Sequence, residues 1–352
     1  MEITQLVDDA RKSTLFTAPV MGTDLERFLA QQGDTIRDLA RRAVAEIVRH
    51  IYWVGSGNSW VNLYSGKYLL DRFSDIPSDC FISYELVWRN PARLNSRSWT
   101  FLASYSGATE DTIAALRHAK AHGSHTIVFV NKADSLMGRE ADEVVEYNSK
   151  ALYILPLAAA YLFSLEVASI KGVKGVEKTI EQLFKLPALL SKQYIDEETK
   201  GHKLAEEFAQ ERMIYTLGSG PLYGLAYKFG LTVFMENMRI NGSFMDASEF
   251  RHGPAEILDR EKPAMVVLLG TDESRPVVQR VCQLAKTKDL KLQVYDMAEY
   301  GGIDPLLAPF VLMIPLQWFA VYSALLRGIT NLDERVLMGR GIMGQGKGII
   351  WP

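Results

Sequence analysis

Residues Ile51-Tyr52-Trp53-Val54-Gly55-Ser56-Gly57-Asn58-Ser59 decide how this chain folds. The first four are apolar, β-branched or aromatic, and read as a buried strand. The glycines and hydroxyls that follow are a turn, and the run from there to about Phe73 reads as a helix. The arrangement returns as Ile214-Tyr215-x-x-Gly218-Ser219-Gly220, offset by 163 residues (214 less 51), and Tyr64 and Tyr227 share that offset. A strand–turn–helix unit recurring at one fixed spacing indicates a duplicated domain.

More such units lie on either side. Thr100–Ala103 reads as a strand, Thr109–Ala121 as a helix and Thr126–Val130 as a strand; the second half continues with strand Ala264–Leu269, helix Arg275–Ala285 and strand Lys291–Tyr295. Alternating strands and helices predict an α/β fold of two tandem lobes, each a parallel sheet flanked by helices. The expected organisation is a helical segment over 1–50, with a helix from 24 capped by Asp24, a first lobe over 51–176 and a charged helical linker over 177–208. A second lobe over 209–330 and a tail over 331–352 complete it. The tail is too rich in glycine for a helix and is either a lid or a frayed end. Two apolar stretches, Ala151–Leu165 and Ala308–Leu326, read as core rather than membrane spans. The first carries Pro156, and the second divides into a strand, Phe310–Ile314, and a helix.

With 39 Lys and Arg against 42 Asp and Glu, the net charge is −3 and no basic block occurs, so the electrostatic case for nucleic acid is weak. Cys80 and Cys282 lack metal-type spacing and suit a reducing compartment. Met1–Gln5 has no signal-peptide layout, and the expected location is cytoplasmic. His118, His122 and His125 have no obvious carboxylate or thiol to complete a metal set; neither a metal nor another cofactor is expected.

Two turns carry the binding chemistry: Gly55-Ser56-Gly57-Asn58-Ser59 and Ser104-Tyr105-Ser106-Gly107-Ala108-Thr109. In an open parallel sheet such turns lie at the carboxyl ends of the strands, where ligands bind. Glycine lets main-chain N–H groups approach an anion, and helix N-termini add donors and a favourable dipole. Gly57, Asn58, Ser59, Ser104, Ser106 and Thr109 are therefore candidate phosphate or substrate contacts, with Tyr105 contributing its main-chain N–H. The competing reading is that these hydroxyls merely cap helices. Neither turn is a Walker loop or a complete dinucleotide motif. The corresponding second-half turn, Gly270-Thr271-Asp272-Glu273-Ser274, would repel an anion, so one phosphate site per chain is expected.

Glu236 closes an apolar helix beginning near Leu222, and His252 follows sixteen residues later, before Gly253-Pro254. A desolvated carboxylate and an imidazole at an element end are candidate proton-transfer groups; a core ion pair with Arg239 or Arg251, and a helix cap, are the alternatives.

On these residues the chain resembles the SIS (sugar isomerase) family over nearly its whole length. Its marks are the turn ending in Ser59, the run Ser104–Thr109, and Glu236 ahead of Glu249-Phe250-Arg251-His252-Gly253-Pro254. Ser248–Ile257, Leu268–Arg275 and the stretch from Leu307 through Arg335 resemble fructosamine-6-phosphate deglycases of the fructoselysine-6-phosphate type. The resemblance implies flavodoxin-like lobes and a homodimer or larger assembly with a sugar-phosphate site at the interface, where His252 serves its own or the neighbouring subunit. It also implies that His252 helps open the sugar ring and that Glu236 moves a proton between C1 and C2. The related isomerase half of glucosamine-6-phosphate synthase has a lysine where this chain has Val233 and a C-terminal lysine that best matches Gly339; Lys347 is out of register. Deglycation needs neither, because the substrate's own amine is the electron sink. Glu85 and Arg89 are candidate contacts to the amine end, or exposed loop charges. The alternatives are an aldose–ketose isomerase, of the glucosamine-6-phosphate isomerase/deaminase kind, and a non-catalytic sugar-phosphate-binding regulator.

Overall fold

The computed structural model describes residues 3–334. Helices α1 (Ile3–Ala10) and α2 (Ala18–Ala45) lead into β1 (His50–Gly55), α3 (Asn58–Phe73), β2 (Ser78–Ile82), α4 (Ser83–Arg89) and β3 (Ser98–Ser104). Then come α5 (Glu110–Ala121), β4 (His125–Val130), α6 (Leu136–Glu140), β5 (Glu143–Glu146) and α7 (Leu155–Ile170). After α8 (Val176–Asp196) and α9 (Glu198–Glu207) the pattern restarts at β6 (Met213–Leu217). Two compact units result: Thr23–Phe184 forms one, and the residues up to Gly22 with Lys185–Asp333 form the other, the cuts falling within α2 and α8.

In the first sheet all pairings are parallel, in the order β2-β1-β3-β4-β5, with Ile51 opposite both Ser78 and Trp99. Every residue of β1 and β3 is buried. That explains their continuous apolar character, since helices cover both faces. Trp53 stacks on Phe101 at 4.7 Å, and Phe101 lies 4.6 Å from Phe163 of the largely apolar α7. On the other face Tyr52, Val54, Leu102 and Val128 pack with Leu86, Leu116 and Met137.

The second unit repeats this layout. After β6 a single helical path runs through a 3-10 turn (Gly220–Leu222), α10 (Tyr223–Tyr227), a π turn (Lys228–Val233) and α11 (Phe234–Asn237). It is followed by β7 (Asn241–Met245), β8 (Ala264–Leu269), α12 (Arg275–Thr287), β9 (Leu292–Asp296), α13 (Ala308–Val311) and α14 (Met313–Leu326). The strands are parallel in the order β7-β6-β8-β9, so β6, β7, β8 and β9 take the places of β1, β2, β3 and β4. The duplicated motif thus heads two sheets of matching topology.

The expected strand Phe310–Ile314 is helical instead, divided between α13 and α14. A five-residue apolar run reads the same in a buried strand as in a buried helix. Here the run lies within Pro305–Leu326, which is long and apolar enough for a membrane span but whose apolar centre is buried in the protein.

Candidate functional site

In the first sheet the chain passes from β1 outward to β2, then crosses back to β3. The crevice at this reversal, outside the carboxyl ends of β1 and β3, is where ligands bind in such folds. Both hydroxyl-rich turns flank it. Gly57 sits at the N-cap of α3 with φ +55°, a conformation that favours glycine, and a Cβ added there would meet nothing within 4 Å. No side chain caps α3, and Ser59 Oγ has no protein partner among the described residues.

The second turn brings three hydroxyls together. Ser104 Oγ lies 2.7 Å from Thr109 Oγ1 and 3.5 Å from Ser106 Oγ, and Ser106 Oγ is 3.4 Å from Thr109 Oγ1. Thr109 is the N-cap of α5, yet its hydroxyl makes no capping bond. Capping therefore does not account for these residues: the side chains converge on one another, and the first N–H groups of α5 are left to another acceptor. Ser104 is buried, Thr109 half-buried and Ser106 exposed, so the cluster runs from core to surface. Tyr105 turns away, its ring 6.4 Å from that of Tyr147 and its carbonyl accepting the Asn131 amide.

The turns are tied together by residues the sequence reading passed over. Ser56 Oγ donates to Asp111 Oδ2 at 2.5 Å and bonds Ser83 Oγ at 3.2 Å, and Ser83 in turn meets Thr112 Oγ1 at 3.0 Å. Acidic residues in a first helical turn ordinarily signal only a favourable dipole contact; the Ser56 bond gives Asp111 a positional task as well. Its neighbour Glu110 accepts from the Tyr84 hydroxyl at 3.0 Å. The candidate donors of the cradle are neutral, and the two carboxylates beside them are engaged by the Ser56 and Tyr84 hydroxyls.

Glu85 and Arg89, one helical turn apart on α4, bond each other, with Arg89 Nε donating at 2.8 Å. His118 Nε2 contacts Asn90 Oδ1 at 3.0 Å, and His122 Nδ1 contacts the His118 carbonyl at 2.9 Å. Among the described residues no group of three or more His, Cys, Asp and Glu could hold a metal ion.

In the other unit, Glu236 is exposed on α11, correcting the expectation of a buried carboxylate. The π turn re-phases the helical path, so that Phe234 and Asn237 face the core while Met235 and Glu236 face outward. His252 ends a short 3-10 turn, Phe250–His252, and is also exposed. Arg251 Nε donates to His252 Nε2 at 3.3 Å. Gly339 and Lys347 lie outside the described residues.

The counterpart turns of this unit hold an anion of the protein's own. The Asp272 carboxylate accepts from the Ser274 amide at 3.3 Å and from Ser274 Oγ at 3.1 Å. It sits where side chains on Gly220 or Gly270 would project: a Cβ on Gly220 would fall 2.5 Å from Asp272 Oδ2, and one on Gly270 would collide with Oδ1.

A doubled parallel sheet with an open hydroxyl-and-amide cradle at one switch point defines an α/β protein with a candidate anion-binding site. Comparison with known proteins gives the family. Residues 48–170 match the SIS domain. The chain is 31% identical over 335 residues to the fructoselysine 6-phosphate deglycase of Escherichia coli, covering 94% of this chain and 98% of that one. It is 33% identical over 285 residues to the fructosamine deglycase FrlB of Bacillus subtilis, covering 78% and 86%. A solved Bacillus subtilis structure described as a phosphosugar isomerase superposes with a TM-score of 0.74 at 32% identity, covering 82% of this chain and 90% of that one. The chain belongs to the SIS family, with the fructosamine 6-phosphate deglycases among its relatives.

Proposed function

We propose that this enzyme cleaves fructosamine 6-phosphates to glucose 6-phosphate and a free amine. The reading is carried by the convergence of Ser104, Ser106 and Thr109 at an uncapped helix N-terminus, in a chain that aligns end to end with a deglycase. The cradle residues, with Gly57, Asn58 and Ser59, take the phosphate. His252 helps open the sugar ring. Glu236 then takes a proton from C1 while the C2 carbonyl oxygen gains one, giving an enaminol; return of a proton to C2 gives an imine at C1. Water adds to that carbon and the amine departs with a proton, leaving the aldehyde of glucose 6-phosphate. Substrate plus water equals products, with no net oxidation, so the reaction balances without an external electron acceptor. The exposed Glu236 becomes an effective base once bound substrate displaces its water. We assign the enzyme to the cytoplasm, acting as a homodimer or larger assembly in which His252 serves its own or the neighbouring site.

The test is a screen of fructosamine 6-phosphates against fructose 6-phosphate. Glucose 6-phosphate released with stoichiometric amine from the former supports deglycation. Interconversion of fructose 6-phosphate alone would assign an aldose–ketose isomerase, and binding with no turnover of either would assign a sugar-phosphate sensor.

A further inference from the structure

Between the turn carrying His252 and helix α12 lies an open cavity of about 380 Å³, of whose lining the reaction as described uses His252 alone. Its α12 wall is Val277, Arg280, Val281 and Leu284, spaced i, i+3, i+4 and i+7 and hence on one face of the helix. That face borders the one packed on the sheet: Val281 belongs to the core with Val278, Cys282 and Ala285, and Leu284 packs against it. Val277 and Arg280, on the outer side of the same face, are exposed.

The opposite wall is the turn itself, with Phe250, Arg251 and His252. Among the described residues neither Arg280 nor Arg251 forms an ion pair, whereas Arg11, Arg37, Arg42, Arg117 and Arg275 all do. Arg251 bonds only the imidazole beside it. Glu249 also lines the cavity, so two guanidinium groups face one carboxylate and the lining is net positive. Apolar walls around a net positive charge fit an organic carboxylate, and a guanidinium fork matches a carboxylate's two oxygens.

We propose that Arg280 is a specificity-determining residue that binds a carboxylate on the amine portion of the substrate, while Val277, Val281 and Leu284 receive that portion's apolar part. The inference rests on the deglycase reading. His252 acts at the ring carbon C2, the amine is attached at the adjacent C1, and the phosphate is at the far end of the sugar. The group lying beyond His252 is therefore the amine's substituent.

The experiment compares two substrates differing only in that carboxylate: the fructosamine 6-phosphates of valine and of isobutylamine. Glucose 6-phosphate release is followed for the full-length enzyme, for Arg280→Met and for Arg280→Lys. The expected wild-type kcat/KM ratio, valine over isobutylamine, is on the order of 30-fold, the loss associated with one charged hydrogen-bonding pair. Arg280→Met brings the ratio close to one, and Arg280→Lys, with charge but no fork, leaves it in between. A wild-type ratio near one, or a ratio that Arg280→Met leaves intact, overturns the assignment of Arg280 while the deglycase reading stands. No glucose 6-phosphate from either substrate overturns both.

Discussion

Replacing Ser106 by alanine removes one hydroxyl from the cradle and little else. The side chain is exposed; its Oγ accepts from the Ala108 amide at 3.2 Å and lies at long range from its two hydroxyl neighbours. Surface changes of this kind ordinarily alter stability by no more than about 0.5 kcal/mol. A hydrogen bond to a charged phosphate is worth roughly 1.5–3 kcal/mol, and at about 1.4 kcal/mol per decade its loss lowers kcat/KM by about 10- to 150-fold. The assay is glucose 6-phosphate release from a fructosamine 6-phosphate, set beside turnover of the same fructosamine without its phosphate. The missing hydroxyl acts only through the phosphate, so the phosphorylated-to-unphosphorylated ratio should fall by that same factor while Tm stays put. An unchanged ratio would refute the cradle. Ser104→Ala is the poorer test, because the buried Ser104 Oγ also accepts from the Gly107 amide at 3.1 Å and its loss mixes binding with stability.

Glu236→Gln should lower kcat by about 100- to 10,000-fold while glucose 6-phosphate still binds in a calorimeter; near-normal turnover would remove Glu236 from the chemistry. Arg275 grips Asp296 through two bonds of 2.7 Å and holds its carboxyl below the usual range. A depressed carboxyl stabilises the fold fully above its unfolded pKa of about 3.9, and that contribution is lost as pH falls through the lower folded value. Arg275→Met should cost about 1 kcal/mol in urea unfolding at pH 7, discounted for partial exposure, and less in strong acid; a gap that persists undiminished there would contradict the linkage. Lys228 is 1% exposed, and burial drives its ammonium well below its ordinary pKa. The unfolded chain then binds the extra proton, so this site weakens the fold increasingly as pH drops below the unfolded value of about 10.4, levelling off beneath the folded one. Lys228→Met should raise Tm at neutral pH and give little gain above about pH 11. An equal Tm change at both pH values would show that the charge is not the cause.

Strands buried on both faces were the legible ones. Ala264–Leu269 stands in the structure at the bounds its apolar run indicates, and β1, β3 and β4 extend the predicted segments by two, three and one residues. The edges were not legible. β5 is Glu-Val-Val-Glu, too short and too charged to announce itself, and β7 is Asn-Gly-Ser-Phe-Met, which locally reads as a turn. Its position is set by close backbone approach: a Cβ on Gly242 would strike the Gly230 carbonyl of the π turn. The same π turn defeated the reading of Glu236. Apolar neighbours along a regular helix would bury it, but one wider turn rotates everything downstream. At the cradle, residue types were readable and contacts were not. Nothing in Ser104-x-Ser106-x-x-Thr109 distinguishes a cap from a cluster; the distances among the three hydroxyls do.

The duplication makes the asymmetry of the two lobes informative. Both lobes place glycine turns after their first and third strands in identical topology, so both inherit the geometry of an anion notch. In one, the space above Gly57 is empty and the nearby carboxylate, Asp111, is bonded to the Ser56 hydroxyl; in the other, Asp272 lies against Gly220 and Gly270 and takes the Ser274 amide. A carboxylate there satisfies with its own charge the donors that a phosphate would otherwise satisfy, and repels any second anion. On the proposed reading the first lobe keeps its notch for the phosphate, while in the other Asp272 makes it a structural bond. The proposal therefore allots one phosphate site of this kind to each chain, and a phosphate stoichiometry of two per chain would contradict it.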